Sequence, residues 1–347
     1  MVASSGITTG GTPEVSIVHR AITLALILML GVLTALTEAP AQPASKVARV
    51  GFFYFGARQP GPGADRYAMF LEGMRDLGYV EGKNLAVEAR FAESRSERLP
   101  EMLDELLRQK VDVIVATGSP VYRVLQRMTT PVPVVVTVTA DPVLEGLAAT
   151  LARPGGNFTG LSDTAADLSL KQLELLKDIV PKLSRVGVLL NPDNVSHPAQ
   201  VTRLVLAGQK FGVQVVLAEA STTAQIESGF ATLARERAHA VLLFGDTFFA
   251  QQLPEIARAA LRHRLPSTYI IREYADAGGL MGYGAPIIEN FRRAATYVDK
   301  ILRGATPAQL PFEQPTNYRL AINLKTAKAL GLTIPQSVRL RANDIVE

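Results

Sequence analysis

The stretch GGLMGYGAPIIENFRRAATYVDKILRGATPAQLPFEQPTNYRLAINLKTAKALGLTIP (Gly278–Pro335) decides how this chain is put together. Its glycine-bounded strand, Leu280–Tyr283, runs into a helix opened by Pro286. Proline suits the first helical position, where its missing N–H would be unpaired anyway. Ile287, Phe291, Ala294, Ala295, Val298, Ile301 and Leu302 then recur at helical spacing, giving one apolar face. Gly304 is a stop signal. A proline-broken connection, Pro307–Pro315, leads to a strand at Arg319–Asn323 and a short helix at Leu324–Leu330. A helix, a long crossing and a further strand–helix unit this late in the chain imply a return between two lobes already built.

Upstream, two series of strand-then-helix units fit that idea. The first has strands at Lys46–Tyr54, Leu85–Phe91, Val111–Ala116 and Val132–Val138. Helices follow them from about Asp65, from Ser96 (as a cap) to Gln109, from Thr117–Pro120 to Met128, and over Pro142–Leu151. Arg153–Asn157 breaks the pattern, and Phe158–Leu161 reads as a crossing strand. The second series has strands at Arg185–Leu190, Val213–Leu217, His239–Phe244 and Pro266–Ile270, interleaved with helices that begin at Leu168, His197, Thr223 and Phe249. Alternation of this kind gives two doubly wound α/β lobes. The series echo each other, as VDVIVATG (Val111–Gly118) and AHAVLLFG (Ala238–Gly245) show. Two unrelated buried strands would also look alike.

The 347 residues suffice for two domains, and 48% hydrophobic content supports a large core. With 36 Lys+Arg against 32 Asp+Glu and no long run of one sign, nothing suggests a nucleic-acid partner. The absence of cysteine removes disulfides, thiolate metal sites and lipid attachment through a cysteine. His19 and Arg20 precede the apolar run Ala21–Leu36, and Ala39-Pro40-Ala41 supplies small residues after it. This is a signal peptide over residues 1–41, cleaved after Ala41; an uncleaved anchor is the alternative.

Ligands of open α/β sheets bind at the carboxyl ends of the strands. Those ends carry Tyr54 and Phe55; Gly118 and Ser119; Thr137, Thr139 and Asp141; Asn191; Asp246 and Thr247; Tyr269 and Tyr283. The set suits a small zwitterion or polar acid. Ser119, at a helix N-terminus, either takes a carboxylate or only caps its helix. Asp246 either pairs an ammonium or closes a turn. Tyr54 and Phe55 either stack on a ligand or pack in the core. Catalytic signatures fail: Arg66 stands where a dinucleotide fingerprint needs its third glycine, and GYVEGKN (Gly78–Asn84) is too short for a phosphate loop. His197, His239 and His263 lack ligand spacing. No catalytic residue, metal site or cofactor is expected.

Asp141-Pro142-Val143, the run LARPGGNFTGL (Leu151–Leu161), Gly278–Gly284 and most of Phe291–Pro335 resemble the ABC-transporter substrate-binding proteins of the type that includes tryptophan-binding members. The likeness covers essentially the chain beyond the leader. It implies a periplasmic-binding-protein-like type I fold with three hinge crossings. By this resemblance lobe 1 is 46–157 plus 286–315 and lobe 2 is 162–281 plus 319–347, with hinges near 158–161, 282–285 and 316–321. It implies a monomeric periplasmic receptor that closes on a small solute, such as an amino acid or organic acid, and docks on an ABC permease. A sensor signalling to a membrane receptor is the alternative function.

Overall fold

Two sheets account for the strand–helix alternation. The computed structural model describes Ala3 and residues 47–59, 65–128, 130–163 and 165–347. The expected signal peptide, its cleavage point and the Gly61–Gly63 glycines lie outside the described residues. No helix among the described residues is long and apolar enough to cross a membrane.

The first sheet holds β1 (Ala48–Tyr54), β2 (Leu85–Phe91), β3 (Val113–Thr117), β4 (Val134–Val136) and β5 (Phe158–Gly160) in the order β2-β1-β3-β4-β5, all parallel. Every residue of β1 except Arg49 is buried, because helices cover both faces. Side-chain alternation divides the core. Phe53, Ile114 and Val134 meet α2 (Leu99–Arg108) and α3 (Ser119–Arg127). Phe52, Val115 and Val135 meet α1 (Arg66–Asp76) and a much later helix.

The second sheet begins with α4 (Ala165–Ile179), β6 (Arg185–Leu190), α5 (His197–Phe211), β7 (Gln214–Glu219), α6 (Thr223–Arg235) and β8 (Ala240–Leu243). It continues with α7 (Leu253–Arg262), β9 (Ser267–Tyr269), α8 (Glu273–Asp276) and β10 (Met281–Gly284). The chain then returns to the first lobe as α9 (Ile287–Leu302), the late helix that packs on α1. It comes back as β11 (Arg319–Asn323), α10 (Leu324–Ala329), α11 (Gln336–Arg339) and β12 (Asp344–Val346). Strand order is β12-β11-β10-β9-β8-β6-β7, with only the β10–β11 pair antiparallel among the described strands.

The chain passes between the sheets after β5, after β10 and before β11. The first and third passages are tied side by side. Glu313 N–H donates to the Gly160 carbonyl and Ser162 N–H donates to the Glu313 carbonyl, both at 2.9 Å. Arg293 on α9 grips the Glu313 carboxylate with two bonds of 2.9 Å, which holds that carboxyl below its ordinary range.

Three local expectations change. Pro142–Leu151 is a series of turns rather than a helix: Asp141 Oδ1 accepts from the N–H groups of Val143 and Leu144, and Gly146 sits at φ +70°. A left-handed residue there ends any helical path. Ser96 makes no cap bond, since a single 3₁₀ turn (Ser96–Arg98) precedes α2. Phe158–Gly160 pairs with β4 inside the first sheet, so the crossing follows it.

Gly73 marks the tightest point of the α1–α9 contact. A Cβ there would lie 2.4 Å from the Arg292 carbonyl oxygen. In an open helix Gly→Ala gains about 1 kcal/mol of propensity. Overpacking against a fixed backbone costs about 1–3 kcal/mol and should win here. Gly73→Ala is therefore expected to lower stability by about 1–2 kcal/mol in urea unfolding; a stabilised variant would show that the helices part freely.

Candidate ligand-binding site

The carboxyl ends of both sheets face a cavity of about 60 Å³. The first lobe contributes Tyr54, Arg66, Gly118, Ser119, Thr139 and Glu145. The second contributes Asn194, Ser196, Asp246, Thr247 and Tyr269, while Asp163 comes from the first passage. Val138, Ile270, Ile271, Ile287 and Phe291 form the apolar part of the wall. Polar groups converging on an apolar cavity between lobes is the usual form of a small-molecule site.

On the first-lobe side, β3 stops at Thr117, Gly118 turns at φ +105°, and Ser119 opens α3. Pro120 has no N–H, and those of Val121 and Tyr122 donate to the Gly118 carbonyl at 2.9 and 3.1 Å, so Ser119 is the residue of this helix start that lines the cavity. The buried Thr117 and Thr137 hydroxyls bond each other at 2.6 Å and brace the two strand ends. Thr139 donates to Glu145 Oε1 at 2.7 Å. Burial raises the Glu145 carboxyl to about 7, with the Thr139 bond opposing the shift. Arg66 donates to Gln59 and lies 6.0 Å from the centre of the Phe291 ring.

The second-lobe side is organised by Asp246. Its Oδ1 accepts from Asn191 Nδ2 at 3.2 Å and from the N–H groups of Phe248 and Phe249, and its Oδ2 accepts from Asn194 Nδ2 at 2.9 Å. The Tyr269 hydroxyl donates to the Asp246 carbonyl at 2.8 Å. His197 stands behind the loop. The Asn191 N–H donates to its Nδ1, so Nε2 carries the proton and donates to the Gly245 carbonyl at 3.1 Å. Burial lowers the pKa of this imidazole and keeps it neutral.

Among the residues singled out in the sequence, Tyr54, Gly118, Ser119, Thr139, Asp246, Thr247 and Tyr269 line the cavity together. Thr137 and Asn191 sit one layer behind it, bonded to Thr117 and Asp246. Phe55 is buried in the core of the first lobe. Asp141 caps the turn after Thr139. Tyr283 stacks on Tyr318, with ring centres 6.1 Å apart, away from the cavity. Sequence reasoning missed Arg66, Glu145, Asp163, Asn194 and Ser196. Asn194 and Ser196 lie in the loop that Asn191 begins, so taking the whole loop would have found them. Glu145 was hidden by the helix assigned there. Among the described residues no three His, Asp or Glu side chains group as metal ligands.

The lobes also touch directly. Ala57 N–H of the first lobe donates to Gln251 Oε1 of the second at 2.8 Å, and Gln251 Nε2 is held by the Thr247 carbonyl at 3.1 Å. Ser119 Oγ lies 3.5 Å from Asn194 Oδ1, and Arg123 reaches the Asp193 carbonyl. These contacts bridge the two lobes beside the cavity.

Residues 61–346 match the family of ABC transporter substrate binding proteins. The chain belongs to that family. A curated relative, the tyrosine-binding protein of Clostridioides difficile (strain R20291), is 25% identical over 264 residues, covering 76% of this chain and 75% of the relative. A conserved domain protein from Vibrio cholerae is 28% identical with a TM-score of 0.80, covering 86% of this chain and all of that one. An ABC domain from Streptococcus pneumoniae, solved with L-Trp, is 24% identical with a TM-score of 0.79, covering 86% of this chain and 99% of that one. As a substrate-binding protein of this family, the chain is placed in a solute-binding and non-enzymatic class, and its two-lobed α/β architecture agrees with that of these neighbours.

Gln251→Ala removes the bond to Ala57, and with it the bond to the Thr247 carbonyl, without substituting a cavity residue. Since one neutral hydrogen bond contributes about 0.5–1.5 kcal/mol, the variant should bind its solute about three- to tenfold more weakly in isothermal titration. Unchanged affinity would show that this contact does not help closure.

Proposed function

We propose that this protein is the periplasmic receptor of an ABC importer, binding an α-amino acid between its lobes and presenting the closed form to a membrane permease. In this reading residues 1–41 direct export and are removed near Ala41, and the receptor acts as a monomer. The observation that carries the proposal is the cavity itself. It sets the helix start at Gly118–Ser119 and carboxylates around one cavity, a pairing that suits a zwitterion. The tyrosine-binding relative supports an amino acid as the cargo class. The apolar wall from Ile270 to Phe291 would receive the ligand's side chain.

Mass action gives the test. A solute present at a hundred times its Kd stabilises the folded state by about 2.7 kcal/mol, which for some three hundred residues raises Tm by about 4 °C. L-Tyrosine is expected to do this, and Ser119→Ala should weaken its binding about tenfold. If no proteinogenic amino acid shifts Tm, while a simple organic acid does, the cargo class is wrong but a receptor role stands. If nothing small stabilises the protein, solute binding itself fails.

A further inference from the structure

The carboxylates of the cavity are not equivalent. Asp246 faces the cavity, but each of its oxygens already accepts from the protein: Asn191, Phe248 and Phe249 on Oδ1, and Asn194 on Oδ2. Glu145 is different. Thr139 holds its Oε1 at 2.7 Å and the Ala140 and Asp141 backbone also steadies the carboxyl, while its Oε2 is buried with no hydrogen-bond partner within bonding distance among the described residues. A buried, unpartnered carboxylate oxygen is costly, and a cation placed against it would offset that cost. Glu145 also lies along α3, where Gln126 donates to its carbonyl at 3.0 Å. Tyr122, one turn into that helix, feels the Glu145 carboxylate, and its hydroxyl bonds the Val138 carbonyl next to Thr139. Glu145 and the Gly118–Ser119 helix start both line the cavity from the first lobe.

We infer that Glu145, rather than Asp246, is the acceptor for the ligand's α-ammonium group, with Thr139 fixing its orientation. The inference rests on the amino-acid reading proposed above. Asp246 then shapes the opposite wall. Burial keeps the free Glu145 carboxyl near 7, so a proton and the ammonium compete for it. Binding should therefore strengthen as pH rises and fade as pH falls. The other ionisable groups around Glu145 are Asp141 in its own turn, Tyr122 on α3, Asp163 on the first passage, Arg66 on α1 and Asp246 across the cavity. Desolvation holds Tyr122 neutral over this range.

The probes are L-tyrosine and 3-(4-hydroxyphenyl)propionic acid, the same molecule without its amine, titrated calorimetrically into the mature protein and E145Q. Glutamine keeps the size of Glu145 and an oxygen for Thr139, so the fold should persist. Wild type should prefer L-tyrosine. E145Q should lose about tenfold or more for L-tyrosine and little for the des-amino acid. Wild-type affinity for L-tyrosine should also fall about tenfold from pH 8 to pH 6, and E145Q should show no such slope. Equal L-tyrosine affinity in wild type and E145Q, with the same slope in both, would overturn the Glu145 assignment and leave the cargo class standing. Wild type that binds no proteinogenic amino acid would overturn the cargo class, and this assignment with it.

Discussion

The Asp246 carboxylate is held by four protein donors, and the far wall of the cavity depends on it. Two asparagine side chains and two backbone N–H groups converge on its oxygens. Charge-assisted bonds of this kind are about twice as strong as neutral ones, and they draw the loop after β6 and the loop after β8 onto one point. Tyr269 pins the same residue through its backbone carbonyl, and His197 ties Asn191 to Gly245 from behind. Each bond fixes a group that fixes the next. A residue that reads as a ligand contact in the sequence also anchors a preorganised wall.

The fold was legible because period and punctuation carry it. Continuous apolar runs such as Val113–Thr117 can only be strands covered on both sides, and Gly304 and Gly331 stop helices where left-handed torsions are needed. The placing of α9 with the first lobe came with the family resemblance, since an apolar stripe does not name its partner. The turns after Thr139 were not. Val143, Leu144 and Leu147 have helix-like spacing, and the decision against a helix is made by the Asp141 cap and by Gly146.

The site was half legible for a related reason. Strand ends can be found from the strands, so Tyr54, Ser119, Thr139, Asp246 and Tyr269 were found. Residues brought in by other routes leave no local mark. Arg66 and Phe291 reach the cavity from helices whose patterns announce only packing, and Asp163 arrives on a passage between sheets. Tyr283 was misleading in the opposite way: it ends a strand, but β10 ends at the passage to α9 and its ring lies against Tyr318. Nor does the family signature separate the Glu145 and Asp246 carboxylates. That difference appears only when each oxygen's partners are counted.

The interleaving of the lobes has a consequence for how the molecule is made. Arg292 of α9 pairs with Asp76 of α1 across 216 residues of sequence. One entire face of the first sheet, including Phe52, Val115 and Val135, is covered in part by Phe291, Ala294 and Val298 from that distant helix. Loop closure of this length costs only a little more than closure of a shorter one, but it comes late. During synthesis the first lobe is therefore built before its own lid exists, with sticky apolar surface waiting for a segment that follows the whole second lobe. A chain assembled in this order cannot finish its first half until nearly all of it has emerged.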